Sequence, residues 1–554
     1  MAKDIRVLKG GYGASYGERV GGIVDITGVQ GARGSPDVNI SVNNLTLNGY
    51  LSVPVASRNS FIMAFRQTYY DLYESTSLTL LSGKVGSRPA TGRTADINVI
   101  PDYLFRDVNL KLAGESAGGN NWHLSLFTGS DRFSYSAETE TFLNRISVSS
   151  EERSLQQGGS LFFGKRWRGG ATSRATASYS GYKNSGADAR EVTRIVSGIT
   201  QFSFDRATAS EVDEVDLRIE NSVSLPGVHS LEFGAGVIYD RVGFKEDTSG
   251  VTLKDVLNST SIIDGYLTDI ITPVRGLTIK PGVRFDYPLS LGEIYLQPRL
   301  SVTVNAGEYI RINGAAGRYN QFMALSSVID ESGNLKYIWT LCDNREVPVV
   351  SSNHFVSGIS YSRNNLQLSV EGYYKSTAGL TRYINTRINR FVFHGESRSR
   401  GLDFFVKKDI GSSTFWASYS LSRTEEYFTY FDTEEYRNAL HDQRHEVKLA
   451  GILDLDPFFL SGNWVWGSGF NYPAADGEVS ILSKPYNRLD LSAVFRFSRK
   501  GYIFDGGLSL LNVFDTENIK YSNLIVVPAS QSDQVDIHAE AVPRTLTIFI
   551  NFSF

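Results

Sequence analysis

A chain of 554 residues with a formal charge of −4 is long enough for several soluble domains or one very large closed sheet, and its net charge implies no nucleic-acid or other polyanionic partner. Cys342 is the only cysteine, which excludes an intrachain disulfide and a cysteine-based metal cluster. No run of about 18 apolar residues occurs, which excludes a helical membrane span, while 12% aromatic residues, 52 glycines and only 3 methionines favour strands and turns over helical cores. The N-terminus, MAKDIRVLKGG, lacks the apolar core of a signal peptide, so the chain is expected to be mature, truncated or cytosolic.

The first feature along the chain is KGGYGASYGERVGGIVDIT (9–27), with six glycines between Gly10 and Gly22. GASYG fits the G-x-S-x-G pattern of a hydrolase nucleophile elbow, with Ser15 as the nucleophile. That motif needs a strand, a sharp turn and a helix, whereas Gly21, Gly22 and a β-branched run stand where the helix should be. A dinucleotide loop fails on spacing, because Gly11, Gly13 and Gly17 do not make G-x-G-x-x-G. A Walker loop fails too, since Lys9 precedes the glycines instead of following them.

Beyond the glycines the hydrophobic period is two almost everywhere. In LQLSVEGYYK, Leu366, Leu368 and Val370 oppose Gln367, Ser369, Glu371 and Lys375. In RLDLSAVFRF, Leu489, Leu491, Ala493, Phe495 and Phe497 oppose Arg488, Asp490, Ser492 and Arg496, and RTLTIFINFSF repeats the pattern up to Phe554. Alternation over about ten residues marks a strand with one apolar and one polar face. Tight-turn signals recur at 56–59, 116–121, 168–170, 226–229, 273–276, 305–308, 362–365, 409–413, 455–457 and 498–501. Longer polar segments lie between them, at 72–102, 138–156, 184–211, 243–261, 321–352, 378–396, 425–443, 471–486 and 514–542, with short reversals near 44 and 290. Ten tight turns and eleven reversals on the other rim give 22 strands.

Short turns on one rim and long loops on the other describe an outer-membrane barrel, with both ends on the periplasmic side. The fold expected is all-β: a transmembrane antiparallel β-barrel of 22 strands, with a lumen too wide for side chains alone to fill. A propeller would show a repeat of about 40–50 residues, and none is present. Stacked sandwiches would not keep one rim short throughout. Trp464 and Trp466 share a face with Leu460, as an aromatic belt at the lipid interface would.

With these strands in place, the glycine segment resembles the end of the plug domain in TonB-dependent outer-membrane receptors, where KGG-x-x-A-x-YG-x-R-x-x-G-x-V-x-I leads into the first barrel strand. The match covers Lys9, Gly10, Gly11, Ala14, Tyr16, Gly17, Arg19, Gly22, Val24 and Ile26. RYNQF (318–322), SVEGYYKS (369–376), SRGLDFFVKKDIG (399–411), DQRHEVKLAG (442–451), WVWGSGFNYP (464–473), LSLLNVFD (508–515) and the terminal Phe554 follow in the family's order. The resemblance implies a short plug remnant at 1–33 and a complete barrel at 34–554. It also implies a Gram-negative nutrient-uptake receptor in the cell outer membrane, which binds a substrate at its outer loops and admits it to the periplasm. That passage would be energised by the TonB complex, with no catalysis and no cofactor. The family's export signal, TonB-pairing box and most of its plug have no counterpart among these residues, so TonB is expected to engage through a missing N-terminal segment. The partners implied are outer-membrane lipid, the TonB complex, and a surface-exposed lipoprotein or the rest of the plug.

Lys9 takes the place of a plug arginine that pairs with barrel glutamates in many members, and Glu371 is the partner expected from its polar-face parity. The most apolar outer loop, 317–344, nominates Arg318, Tyr319, Gln321 and Trp339 for a substrate vestibule. Asp432, Glu434, His441 and His445 have the ligand types for a transition metal, but an acidic solvated loop is the ordinary reading, and no metal site is assigned. Competing functions are a passive porin-like channel and a barrel subunit that docks another surface protein. A hydrolase comes last, for want of a nucleophile–base pair.

Overall fold

The structure is a computed structural model that describes residues 2–32, 34–69, 86–87, 94–99, 102–116, 118–329, 335–385, 390–473, 480–482, 484–526 and 534–554. Among these residues there is no helix. Twenty-two antiparallel strands form one closed barrel, running from Asp37–Asn43 to Thr545–Ser553. The ring closes where these two strands pair, with Asn39 opposite Ser553 and Val42 opposite Ile550. Closure satisfies every strand's backbone and leaves no edge, which a bilayer requires.

All ten tight turns stand where the sequence places them, for instance between Leu277 and Val274, and between Leu366 and Arg363. The alternating faces follow the same parity. Leu217, Ile219, Ile263, Phe285, Leu402 and Phe404 are exposed on the outer surface, where lipid covers them. Trp464 and Trp466 share that outer face, since they pair with Leu449 and Val447 and lie in register with Leu460.

The other rim departs from expectation. The polar segments 138–156, 184–211 and 243–261 are mostly strand, not loop. Asn121–Glu140, Asn144–Arg166, Thr172–Arg194, Thr200–Ser224, His229–Thr248 and Val251–Val274 run 20 to 25 residues each. Their reversals take only residues 141–143, 195–199 and 249–250. A tilted strand needs about 9–11 residues to cross the bilayer, so these hairpins rise well above it. Outside lipid the outward face has no need of apolar residues. The apolar–polar alternation therefore disappears from the sequence while the hydrogen-bonded ladder continues. Of the other expected long segments, 72–102 lies largely outside the described residues, while 471–486 contains the paired strands Asn471–Pro473 and Ser480–Leu482, and 514–542 the paired strands Ile519–Val526 and Gln534–Glu540.

The segment 317–344 is a second departure. Met323–Ile329 and Leu335–Leu341 pair as a hairpin, and its first strand lies parallel to Leu366–Asn385, with Ser327 opposite Arg382. Met323 and Leu341 pack on Val212 and Val242, which face the lumen. The hairpin is therefore folded into the outer mouth of the barrel.

Candidate functional site: the lumen and the segment it holds

Residues 9–22 and 29–32 lie against the inner wall. Ala2–Leu8 and Ile23–Gly28 pair with each other, and residues 9–22 run between them over the barrel strands. The glycines make this path possible. A side chain at Gly17 would begin 2.2 Å from the Arg284 guanidinium, and one at Gly11, which has φ +66°, would begin 2.6 Å from Ala315. Only a bare backbone fits there.

The wall grips that backbone mainly through its carbonyls. Arg299 donates to Tyr16 O at 2.6 Å and also to Gly13 O. Tyr319 Oη donates to Tyr12 O at 3.1 Å, Arg218 Nη1 to Ser15 O at 3.4 Å, and Lys375 Nζ to Gly21 O at 3.0 Å and to Lys9 O. His354 Nε2 lies 2.9 Å from Val20 O. Further along, Lys111 Nζ donates to Val29 O at 3.0 Å and Ser60 Oγ to Gln30 O at 2.6 Å. Two bonds run the other way, from Val20 N to Gln321 and from Ala32 N to Ser52. Charged donors to backbone acceptors are the stronger kind of hydrogen bond.

Beneath residues 13–19 lies a buried ionic cluster. Arg284, fully buried, contacts Asp264 at 2.9 Å and Asp286 at 2.8 Å. Gln297 bridges Asp286 to Arg299. Glu18 is buried beside this group, and Arg19 reaches Glu214 at 3.3 Å. Burial pushes the Glu18 carboxyl well above its usual range, the nearby Asp240 and Asp286 carboxylates push it further, and Arg284 and Arg19 oppose them. Tyr12 packs on Tyr319 with ring centroids 4.4 Å apart, and Tyr319 stacks on His354 at 4.2 Å. Burial raises the Tyr12 hydroxyl too.

The residues nominated from sequence are redistributed. Lys9 is ion-paired, but with Asp403 rather than Glu371. Asp403 is the cross-strand neighbour of Glu371, so the face was right and the strand was not. Tyr319 and Gln321 face inward, yet both are occupied by the N-terminal segment. Arg318 pairs with Asn353 where Tyr319 pairs with Ser352, so it is exposed on the opposite, outer face. Trp339 is half-buried against the Met323, Leu341, Val212 and Val242 cluster. These four residues do not converge on one vestibule. Tyr16 donates to Asp25 at 3.2 Å, while Gly10 and Gly22 pass close to Lys375 and Leu8.

Cys342 is buried, and burial pushes its thiol up to about 12, which makes it a packing residue. His445 bonds Tyr419 at 2.9 Å. Among the described residues His441, Asp432 and Glu434 do not gather with it into a ligand set. Sequence reading missed Arg284, Asp286, Arg299 and His354. Their signal was parity: Arg284 and Asp286 in VRFDYP share the face opposite Val283 and Phe285, where a charge at mid-strand must point inward.

No family model and no curated protein matches the sequence. Solved structures do resemble it. The ferric enterobactin receptor PfeA of Pseudomonas aeruginosa, in complex with BCV-L6, aligns over 100% of this chain and 86% of its own, with TM-score 0.64 and 14% identity. BauA, the ferric preacinetobactin receptor of Acinetobacter baumannii, aligns over 99% and 85%, with TM-score 0.66 and 11% identity. The siderophore receptor PirA of the same organism aligns over 99% and 84%, with TM-score 0.63 and 13% identity. The chain has the fold of the siderophore receptors. With its apolar outer belt and closed ring, a barrel of this receptor fold belongs in the outer membrane.

Proposed function

We propose that the chain is the transport barrel of a TonB-dependent receptor and that residues 1–33 are the end of its plug. The observation that carries this reading is the grip on residues 9–30. A row of inward donors on the wall holds a glycine-rich backbone that a porin-like channel would have no use for. Such a hold is made of individually modest bonds and can be broken from one end, as an energised pull through an upstream segment would require. The substrate would enter from the outer mouth, beneath the hairpin 323–341, and leave on the side of the tight turns. The named neighbours receive ferric siderophores, so an iron chelate is the first cargo to try. A surface lipoprotein would be an accessory partner at the tall hairpins.

Ala14 and Gly282 provide the test, because a side chain at Gly282 would begin 3.2 Å from the Ala14 Cβ, close to disulfide spacing. The chain with Ala14→Cys, Gly282→Cys and Cys342→Ser is placed in a planar bilayer. The expected result is a silent barrel that conducts in mild denaturant only after the crosslink is reduced. A large steady conductance with the crosslink oxidised would show that the segment closes nothing and would favour the passive channel.

A further inference from the structure

A cavity of about 1070 Å³ lies between Ile26–Gln30 and the inner wall formed by the strands from Asp102 to Ser178. It reaches the tight-turn rim at Arg58 and Gly119, so it opens toward the periplasm. Its size exceeds that of a typical small-ligand pocket. Its lining is largely of one sign. Several inward cations of the lumen are neutralised by carboxylates: Arg66 by Asp107 at 2.8 Å, Arg218 by Asp216 at 3.3 Å, Arg488 by Asp490 at 2.8 Å and Arg496 by Asp505 at 2.7 Å. Arg299 and Lys375 are instead spent on the carbonyls of the N-terminal segment. The cavity is lined by Arg58, Lys111, Arg166 and Arg174, with Glu115 as its one acid, and by Lys165, whose ammonium lies over the Trp167 ring. Lys111 and Arg58 donate to the carbonyls of Val29 and Ser116, which leave their charge uncancelled. Among the described residues, none of Arg58, Lys111, Arg166 and Arg174 is paired with a carboxylate.

Strand parity aims these groups at the same space. Arg166 shares the inward face of its strand with Phe162 and Gly164, opposite the outward Leu161 and Phe163, and Arg174 is the cross-strand neighbour of Gly164. His123 stacks on Phe162 with ring centroids 4.8 Å apart and planes 14° from parallel, giving the cavity a flat polar–aromatic wall. In a recess with low-dielectric walls, cations of one sign focus the field and attract an anion more strongly than scattered charges on an open surface do.

We propose that this cavity is a binding station for a small polyanion, bearing carboxylate or phosphate groups, on the periplasmic half of the import path. The N-terminal hairpin forms one of its walls, so withdrawing residues 23–30 would open the station toward the periplasm. The inference rests on the import reading, but its test is equilibrium binding. Lost transport with retained binding would overturn only the import reading.

The experiment is calorimetric titration of the full chain in detergent with citrate and, separately, with pyrophosphate. At least one should bind, with an affinity that falls as salt rises. Arg166→Gln with Arg174→Gln should weaken that binding about tenfold or more, as should Lys111→Gln alone to a smaller extent. Arg496→Gln, whose partner is Asp505 far along the wall, should leave it within about twofold. Circular dichroism checks that each variant keeps its barrel. Absence of binding by both anions at about 10 mM, or equal binding by the double variant, would overturn the proposal.

Discussion

Residues 9–30 and the hairpin 323–341 both occupy the inside of the barrel, one from each end, and they are held by opposite chemistry. The N-terminal segment is held through its backbone, by Arg299, Arg218, Lys375, Tyr319 and His354. The hairpin is held largely through its side chains: Ala324, Val328, Ile338 and Cys342 bury themselves with Val347, Val350 and Tyr383, beside a short backbone pairing of Ser327–Ile329 with Arg382–Ile384. An apolar cluster stabilises by area and by fit. A carbonyl grip depends instead on the absence of side chains. The first kind of contact suits a fixed cover, the second a piece that must come out. The two meet at Val20, which packs on the hairpin cluster while its N–H and C=O are bonded to Gln321 and His354.

The sharpest way to break the comparison is at the hairpin's buried polar anchor, Lys336 with Asp188 at 2.9 Å being a second and more exposed one. Arg382 is bonded to Glu426 at 3.0 and 3.1 Å, to Ser327 at 3.0 Å and to Tyr430 at 3.1 Å. Arg382→Ala leaves Glu426 buried and unpaired, a loss of about 3–5 kcal/mol. Hydrogen exchange should then show the amides of 323–341 opening while those of 9–22 keep their protection. Equal loosening of both would mean that the two inserts form one unit.

Gly17→Val should do the reverse. Its side chain collides with Arg284, and crowding of this kind costs about 1–3 kcal/mol. Limited proteolysis after Arg19 should become fast in this variant, with the hairpin unchanged. A segment that stays protected would show that the backbone does not need its close approach.

The segment should also respond to acid. Because the Glu18 carboxyl is raised where it is docked, the docked state holds a proton that the free segment has given up. Retention is therefore fullest below the ordinary carboxyl range and weakens as pH rises through the raised value. Glu18→Gln should flatten this dependence, read as the denaturant midpoint for segment release across pH. A flat profile in the unaltered chain would remove Glu18 from the account.

The smallest effect expected is that of Tyr319→Phe, which removes one hydrogen bond, to Tyr12 O, and keeps the stacking on His354. About 0.5–1.5 kcal/mol of retention should be lost, visible as a shift of the same midpoint. A loss as large as that of Gly17→Val would mean that the hydroxyl organises the whole aromatic stack.

The barrel was legible in the sequence because lipid imposes a local rule. Each strand facing lipid alternates on its own, as RLDLSAVFRF does, and each tight turn carries its own turn residues, so no distant information is needed. The same rule located the inward face of Glu371. It fell silent above the membrane, where the strands of 121–274 continue without apolar faces and look like loops. It could not choose Asp403 over Glu371 for Lys9, since both point inward and the choice depends on where a separate segment lies.

By itself, then, the order of residues determined the strand count, the closed ring and the membrane faces, all of which follow from period two and local turns. Only the tertiary structure decided which wall donors hold residues 9–30, and that the loop at 317–344 turns inward. Among the described residues, it alone also left the cations Arg58, Lys111, Arg166 and Arg174 around the periplasmic cavity without a carboxylate partner. A backbone carbonyl looks the same in every sequence, and whether a charge is cancelled depends on neighbours hundreds of residues away. Neither is written in any short stretch of the chain.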